Sequence, residues 1–210
     1  MSPSMRAIAT SVFPKAVQVI DRFHVQQLVS EAAQEIRISL RREALEEENR
    51  AIVTSRRTSK PYIPITYANG DSKKQLLARS RHLLFKPSSR WTDNQRQRAK
   101  VLFEVFPSIH HAYKLAMQFR ACFEHNHSIY EAREKLAKWY NQVEQANLKP
   151  FIVAAESIQL HEQTILNYFL NRSTNASAES FNAKLKGFRA LVRGVTDKKF
   201  FLYRVSMIYG

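Results

Sequence analysis

Glycine is scarce in this chain, with 4 among 210 residues, and proline is modest, with 7. A turn-rich sandwich or barrel needs more of both, so the shortage points to long helices. Cysteine is nearly absent. Cys122 stands alone, which excludes an intrachain disulfide and fits a cytoplasmic chain. Long apolar runs are missing as well: none reaches the ~18 residues that a membrane span requires. The N-terminus lacks the charged-then-apolar pattern of a secretory leader. No Gly-rich phosphate loop and no Ser-His-Asp pattern is present.

Acidic residues are the most telling shortage. There are 18 Asp and Glu against 33 Lys and Arg, for a net charge of +15. The imbalance is local. Residues 1–53 carry 7 basic against 7 acidic side chains, and residues 101–171 carry 6 against 7. Residues 54–100 carry 12 against 2, and residues 172–210 carry 8 against 2. Two basic blocks therefore hold the excess, and a polyanion, most simply nucleic acid, is the partner that segregation suggests. A membrane surface fits less well, because neither block is joined to an amphipathic segment with apolar anchors. The plain alternative is a basic, well-solvated surface.

What the chain does have is apolar residues, at 44%, enough for a packed core. Ser2-Pro3 starts a helix carrying Met5, Ile8, Ala9 and Val12, and Phe13-Pro14 ends it. Ala16 to Ile20 is a short β-branched run that predicts a buried strand over about 15–20. Val25, Leu28, Val29, Ala32, Ile36 and Leu40 then recur at helical steps in a helix reaching to about Val53. Pro61, Pro64 and Asn69-Gly70-Asp71 make residues 54–72 a basic loop. Helices follow over about 73–85, 93–105, 108–124, 128–145 and 152–170. A penultimate helix starts at Asn175 or Ser177 and is closed by Gly194, and a last one covers about 197–208.

Candidate chemistry is concentrated in the tail. From Glu179, the residues Asn182, Lys186, Arg189 and Arg193 follow at three, seven, ten and fourteen positions, which places all five on one helical face. The basic part of that stripe suits a phosphate backbone. The carboxylate suits a divalent cation beside a phosphate, or it simply complements the positive helix N-terminus. Asp21 and His24 leave the predicted strand. Asp21 is open to two roles, a site residue or the cap of the long helix, and His24 either orients a carboxylate or satisfies a core hydrogen bond. Cys122, His125 and His127, with His110 and His111 upstream, match no standard zinc spacing. Trp91 and Trp139 read as packing residues, with base stacking a secondary role for Trp91 beside Arg90.

Two motifs at opposite ends of the chain carry a resemblance. One is Phe13-Pro14-Lys15-Ala16 leading to Asp21-Arg22-Phe23-His24-Val25. The other is Ser173-Thr174-Asn175 to Glu179-Ser180-Phe181-Asn182, followed by Lys184, Lys186 and Arg189. Tyr113-Lys114-Leu115, Phe119-Arg120 and Trp139 look like the middle of the same family. The chain resembles the C-terminal part of bacterial DDE transposases of the L-three insertion-sequence group.

That resemblance implies a mostly α chain, the C-terminal portion of an RNase-H-like α/β fold with a large all-helical insertion. Residues 1–24 would be the remnant of the core with its last strand, 25–172 the insertion, and 173–210 the core helices bearing the final glutamate, Glu179. It implies Mg²⁺ or Mn²⁺ held by three carboxylates, the element's own terminal inverted repeats as the DNA partner, and a homo-oligomer. Asp21, His24 and Asn182 become signature residues near the site, Glu179 the catalytic and metal carboxylate, and Lys184, Lys186, Arg189 and Arg193 the DNA contacts. The family favours glycine near positions 176 and 180, where this chain has Ala176 and Ser180. Its first two metal aspartates precede the segment matching Met1 to Ser4, so the chain reads as truncated and unable to cut DNA unaided. The competing expectation is a non-catalytic helical DNA-binding protein, or an inhibitor of an intact transposase.

Overall fold

The computed structural model of the chain describes residues 3–124, 128–172 and 176–209. Residues 1–171 form one compact unit and residues 172–210 a second.

The first unit is organised along one helix. Helix α1 covers Pro3–Val12. Helix α2 runs from Arg22–Arg57, 36 residues, or about 54 Å at 1.5 Å per residue. Asp21 caps it: the carboxylate accepts a hydrogen bond from the Phe23 N–H at 2.8 Å, satisfying one of the first-turn donors that a helix leaves open. Of the two roles open to Asp21, the geometry shows the cap. Replacing Asp21 with Ala is expected to cost about 1 kcal/mol of stability, read as a shift in the urea midpoint.

Helix α2 changes character along its length, and each half meets a different core. Val25, Val29, Ala32 and Ala33 from its first half pack with Phe119, Trp139, Phe151 and Leu166. Those partners come from α5 (Pro107–Ala121), α6 (Ile129–Ala146), α7 (Lys149–Leu160) and α8 (Glu162–Leu166), with α9 (Tyr168–Asn171) completing the layer. Ala44 from its second half packs with Leu76, Leu77, Leu83, Leu84 and Leu102. That cluster is built from α3 (Lys73–Arg79), a 3₁₀ turn over Leu83–Phe85, and α4 (Asp93–Val105). Three of these helices begin with capping boxes, Ser72 with Gln75, Thr92 with Gln95 and Ser128 with Glu131, which fix their starting points locally.

A buried carboxylate stands in the turn before α3. Asp71 is only 1% exposed and pairs with both Arg79 and Arg98. Burial alone pushes its carboxyl up, but the two guanidiniums outweigh that and leave it below the ordinary carboxylate range. The folded state thus resists protonating Asp71 more than the unfolded chain does. Its stabilising contribution is full above about pH 4 and fades as pH falls further. Asp71→Asn is expected to cost about 2 kcal/mol at neutral pH. The variant should also lose less stability than wild type between neutral and strongly acid pH, as read from urea midpoints.

The predicted strand is not formed. Residues 16–21 have no regular structure, and among the described residues the one β-bridge is the isolated pair Thr66 and Ser72. A strand needs a neighbour for its ladder, and none is supplied. The polar groups of the segment go elsewhere. The Ile20 N–H donates to the Thr164 carbonyl at 3.0 Å, and Asn167 Nδ2 donates to the Gln18 carbonyl at 2.9 Å.

Candidate nucleic-acid interface

The second unit is a pair of helices, α10 (Ala176–Leu191) and α11 (Lys198–Tyr209). Phe188 and Val205 are its buried apolar residues among those described, and Phe188 stacks on Phe201 with centroids 5.6 Å apart. Asp197 holds the start of α11, its Oδ1 accepting from the N–H groups of Lys199 at 2.8 Å and Phe200 at 3.2 Å.

Glu179 lies in the first turn of α10 and is exposed. Asn182, Lys186 and Arg189 follow it on the same side of the helix, and all three are exposed. Lys184 is exposed too, but lies on another side of the helix. Arg193 does not continue the stripe. The helix ends at Leu191, and the chain turns through residues 192–194 to Gly194 at φ +94°. That left-handed conformation suits glycine, and Arg193 lies in the turn beyond the helix. Arg189 is engaged within the unit. Its Nη1 donates to the Val195 carbonyl at 2.9 Å, and its guanidinium sits 5.1 Å from the Phe201 ring centroid. Leu185, Lys186, Arg189, Lys198 and Phe201 line an open cleft of about 430 Å³.

The other signature residues belong to the first unit. Asp21 is buried at the start of α2, whereas the His24 side chain is exposed. His24 is thus no core histidine; its backbone N–H donates to the Asp21 carbonyl at 3.2 Å. Of the tail signature, Ser173, Thr174 and Asn175 lie outside the described residues, and so do His125 and His127 of the histidine group. Cys122 is buried, and burial pushes its thiol up to about 11. At neutral pH it is a protonated, inert side chain. A thiol reagent is expected to label Cys122 at the rate of unfolding, read by comparing labelling with and without denaturant.

Trp91 is a packing residue. Its indole N–H donates to the Leu83 carbonyl at 2.8 Å, and its ring meets Tyr113 at 5.2 Å and Phe103 at 6.1 Å. Base stacking is not needed to explain it. Trp139 is fully buried and donates to the Leu115 carbonyl at 2.9 Å.

The sequence model of a transposase family, the DDE transposases of the ISL3 group, matches residues 1–205. The chain belongs to the ISL3 transposase family. Membership gives it a transposase function, with DNA as the general partner. No match is found among curated proteins or among solved structures.

Transposases of the DDE class in general use divalent metal ions. Among the described residues, no three His, Cys, Asp or Glu side chains come together as a metal site. The acidic residues of the second unit are Glu179 and Asp197, and Asp197 is occupied by the first turn of α11. A divalent ion of this kind takes about six oxygen ligands, more than one carboxylate offers. Among the described residues, no helix is long and apolar enough to cross a membrane.

Proposed function

We propose that the chain is the C-terminal part of a DDE transposase catalytic region, with an RNase-H-like core and an all-helical insertion, and that it binds DNA but does not cut it alone. In this reading Glu179 is the final carboxylate of the catalytic set, and the other carboxylates come from outside these 210 residues. Lys184, Lys186, Arg189 and Arg193 contact DNA phosphates, and the substrate ends are the element's own inverted repeats. The cofactor of the completed site is Mg²⁺ or Mn²⁺, and the completed enzyme is a homo-oligomer.

The observation that carries the reading is the family match over residues 1–205, which takes in Glu179 and the exposed basic residues that follow it on α10. A carboxylate in the first turn meets the positive end of the helix, and Lys186 lies two turns further along the same face. A phosphate backbone lying along this face would meet the cations while Glu179 faced the phosphate at its end.

The test is the salt dependence of duplex binding by the full chain. Each lost phosphate contact lowers the slope of log affinity against log salt by about 0.9. Replacing Lys184 and Lys186 with Ala should lower that slope by one to two such steps. An unchanged slope, in a variant that keeps its helicity, would remove the assignment of α10 as a DNA-contacting helix.

A further inference from the structure

The first unit carries its own concentration of cations, far along the chain from α10. Between Asp71 and Asp93 the sequence has six Lys or Arg residues and no acidic one. Three of the six are paired: Lys73 with Glu47, Lys74 with Glu48, and Arg79 with Asp71. The other three, Arg81, Lys86 and Arg90, are exposed and make no ion pair among the described residues.

The segment bearing these three cations is held in place. Gln34 Nε2 of α2 donates to the Arg81 carbonyl at 3.0 Å. Trp91 Nε1 donates to the Leu83 carbonyl at 2.8 Å. Tyr113 of α5 donates through its hydroxyl to the Lys86 carbonyl at 3.0 Å, and Arg96 of α4 reaches the Ser88 carbonyl at 3.4 Å. Leu83 and Leu84 are buried beneath it, and 3₁₀ turns over Leu83–Phe85 and Ser88–Arg90 set its path. Four backbone carbonyls are thus anchored by side chains around the segment, while its charged side chains are left in solvent. Loose loops do not receive such anchoring.

The field at the upstream end is strengthened from α2. Arg37 is 4% exposed and bonds to Gln34 Oε1 at 2.7 Å and the Leu77 carbonyl at 2.9 Å, with no carboxylate partner among the described residues. Burial and the nearby charges of Arg41 and Arg81 both disfavour its charged form, so positive charge is crowded here. A bound anion relieves that crowding. A membrane surface fits poorly, because the segment offers only Phe85, at 37% exposure, as an apolar anchor. Exposed cations carried on an anchored backbone suit the phosphates of a duplex.

We propose that the anchored segment from Arg81 to Arg90 is a second DNA-contacting surface, in which Arg81, Lys86 and Arg90 bind backbone phosphates of duplex DNA. The proposal rests on the transposase reading above and adds to it a contact region in the first unit. Its contacts are to phosphates, so it serves affinity and positioning and carries no sequence preference.

The test uses the full chain and a short labelled duplex of arbitrary sequence, with binding read by fluorescence anisotropy across a salt series. Replacing Arg81, Lys86 and Arg90 together with Ala should lower the salt slope by nearly three, and the affinity near physiological salt by about a hundredfold. The charge-preserving set Arg81→Lys, Lys86→Arg and Arg90→Lys should keep the wild-type slope. Should the triple Ala variant lose helicity, Lys86→Ala alone, which keeps the anchored carbonyl, should lower the slope by about 0.9. Wild-type slope and affinity in the folded Ala variants would overturn the proposal. So would a loss confined to single-stranded RNA with duplex binding intact. If the α10 lysine variant loses slope while these variants do not, this proposal fails and the transposase reading stands. If the wild-type chain does not bind duplex at all, both fail.

Discussion

Glu179→Gln, placed in a complete catalytic domain that contains this chain, is expected to abolish strand cleavage while leaving DNA binding intact. Glutamine keeps the shape of the side chain and removes its charge. A bound metal ion contributes several kcal/mol of charge stabilisation in phosphoryl chemistry, and ~4 kcal/mol corresponds to about a thousandfold in rate. Removal of a repelling charge next to DNA should leave affinity equal or slightly higher. The rival role for Glu179, complementing the N-terminus of α10, predicts a different result. Cleavage would then be unchanged, and stability would fall by only about 0.3–1 kcal/mol. Cleavage assayed on labelled ends, beside a melting curve of each variant, separates the two.

Trp139→Ala is expected to have the largest effect on folding. Trp139 is 1% exposed at the centre of the main cluster, 4.8 Å from the Phe119 ring and 5.6 Å from Tyr140. Truncating a buried aromatic costs about 3–5 kcal/mol, and the Leu115 carbonyl also loses its donor in a dry site. Domains of this kind are stable by about 5–15 kcal/mol, so the variant should be close to unfolding at room temperature. A urea titration followed by helix signal gives the shift. Tyr130 is the control, since the residue is 79% exposed and its loss should change the midpoint little.

Most of the helical order is legible in the sequence because apolar spacing and caps agree there. Val25, Val29 and Ala32 follow the helical period and are buried, and Ser72, Thr92 and Ser128 each stand three residues before a Gln or Glu that completes a box. Ala16 to Ile20 misleads for a physical reason. A β-branched run marks a segment suited to a sheet, but ladder partners are a property of the whole chain, and here Thr164 and Asn167 take the hydrogen bonds instead. Helical spacing likewise carries Arg193 onto the Glu179 stripe, although the turn toward Gly194 begins just after Leu191.

Within the candidate interface, Glu179, Asn182 and Lys186 can be placed from spacing alone. What spacing does not reveal is which cations are already engaged. Arg79 and Arg98 are drawn to Asp71 from eight and twenty-seven residues away, and Arg189 lies over Phe201. Arg81, Lys86 and Arg90 stand out as the cations of their segment without an ion pair among the described residues only after the pairs around them are known.

We propose that this chain holds DNA through its basic surfaces and contributes Glu179 to the catalytic set. One gel tests it most directly: the purified 210-residue chain with labelled duplex ends of its element, in Mg²⁺ or Mn²⁺, across a salt series. The account predicts retarded, uncut DNA whose retardation weakens steeply with salt. Nicked DNA that disappears with Glu179→Gln, or no retardation even at low salt, would contradict it.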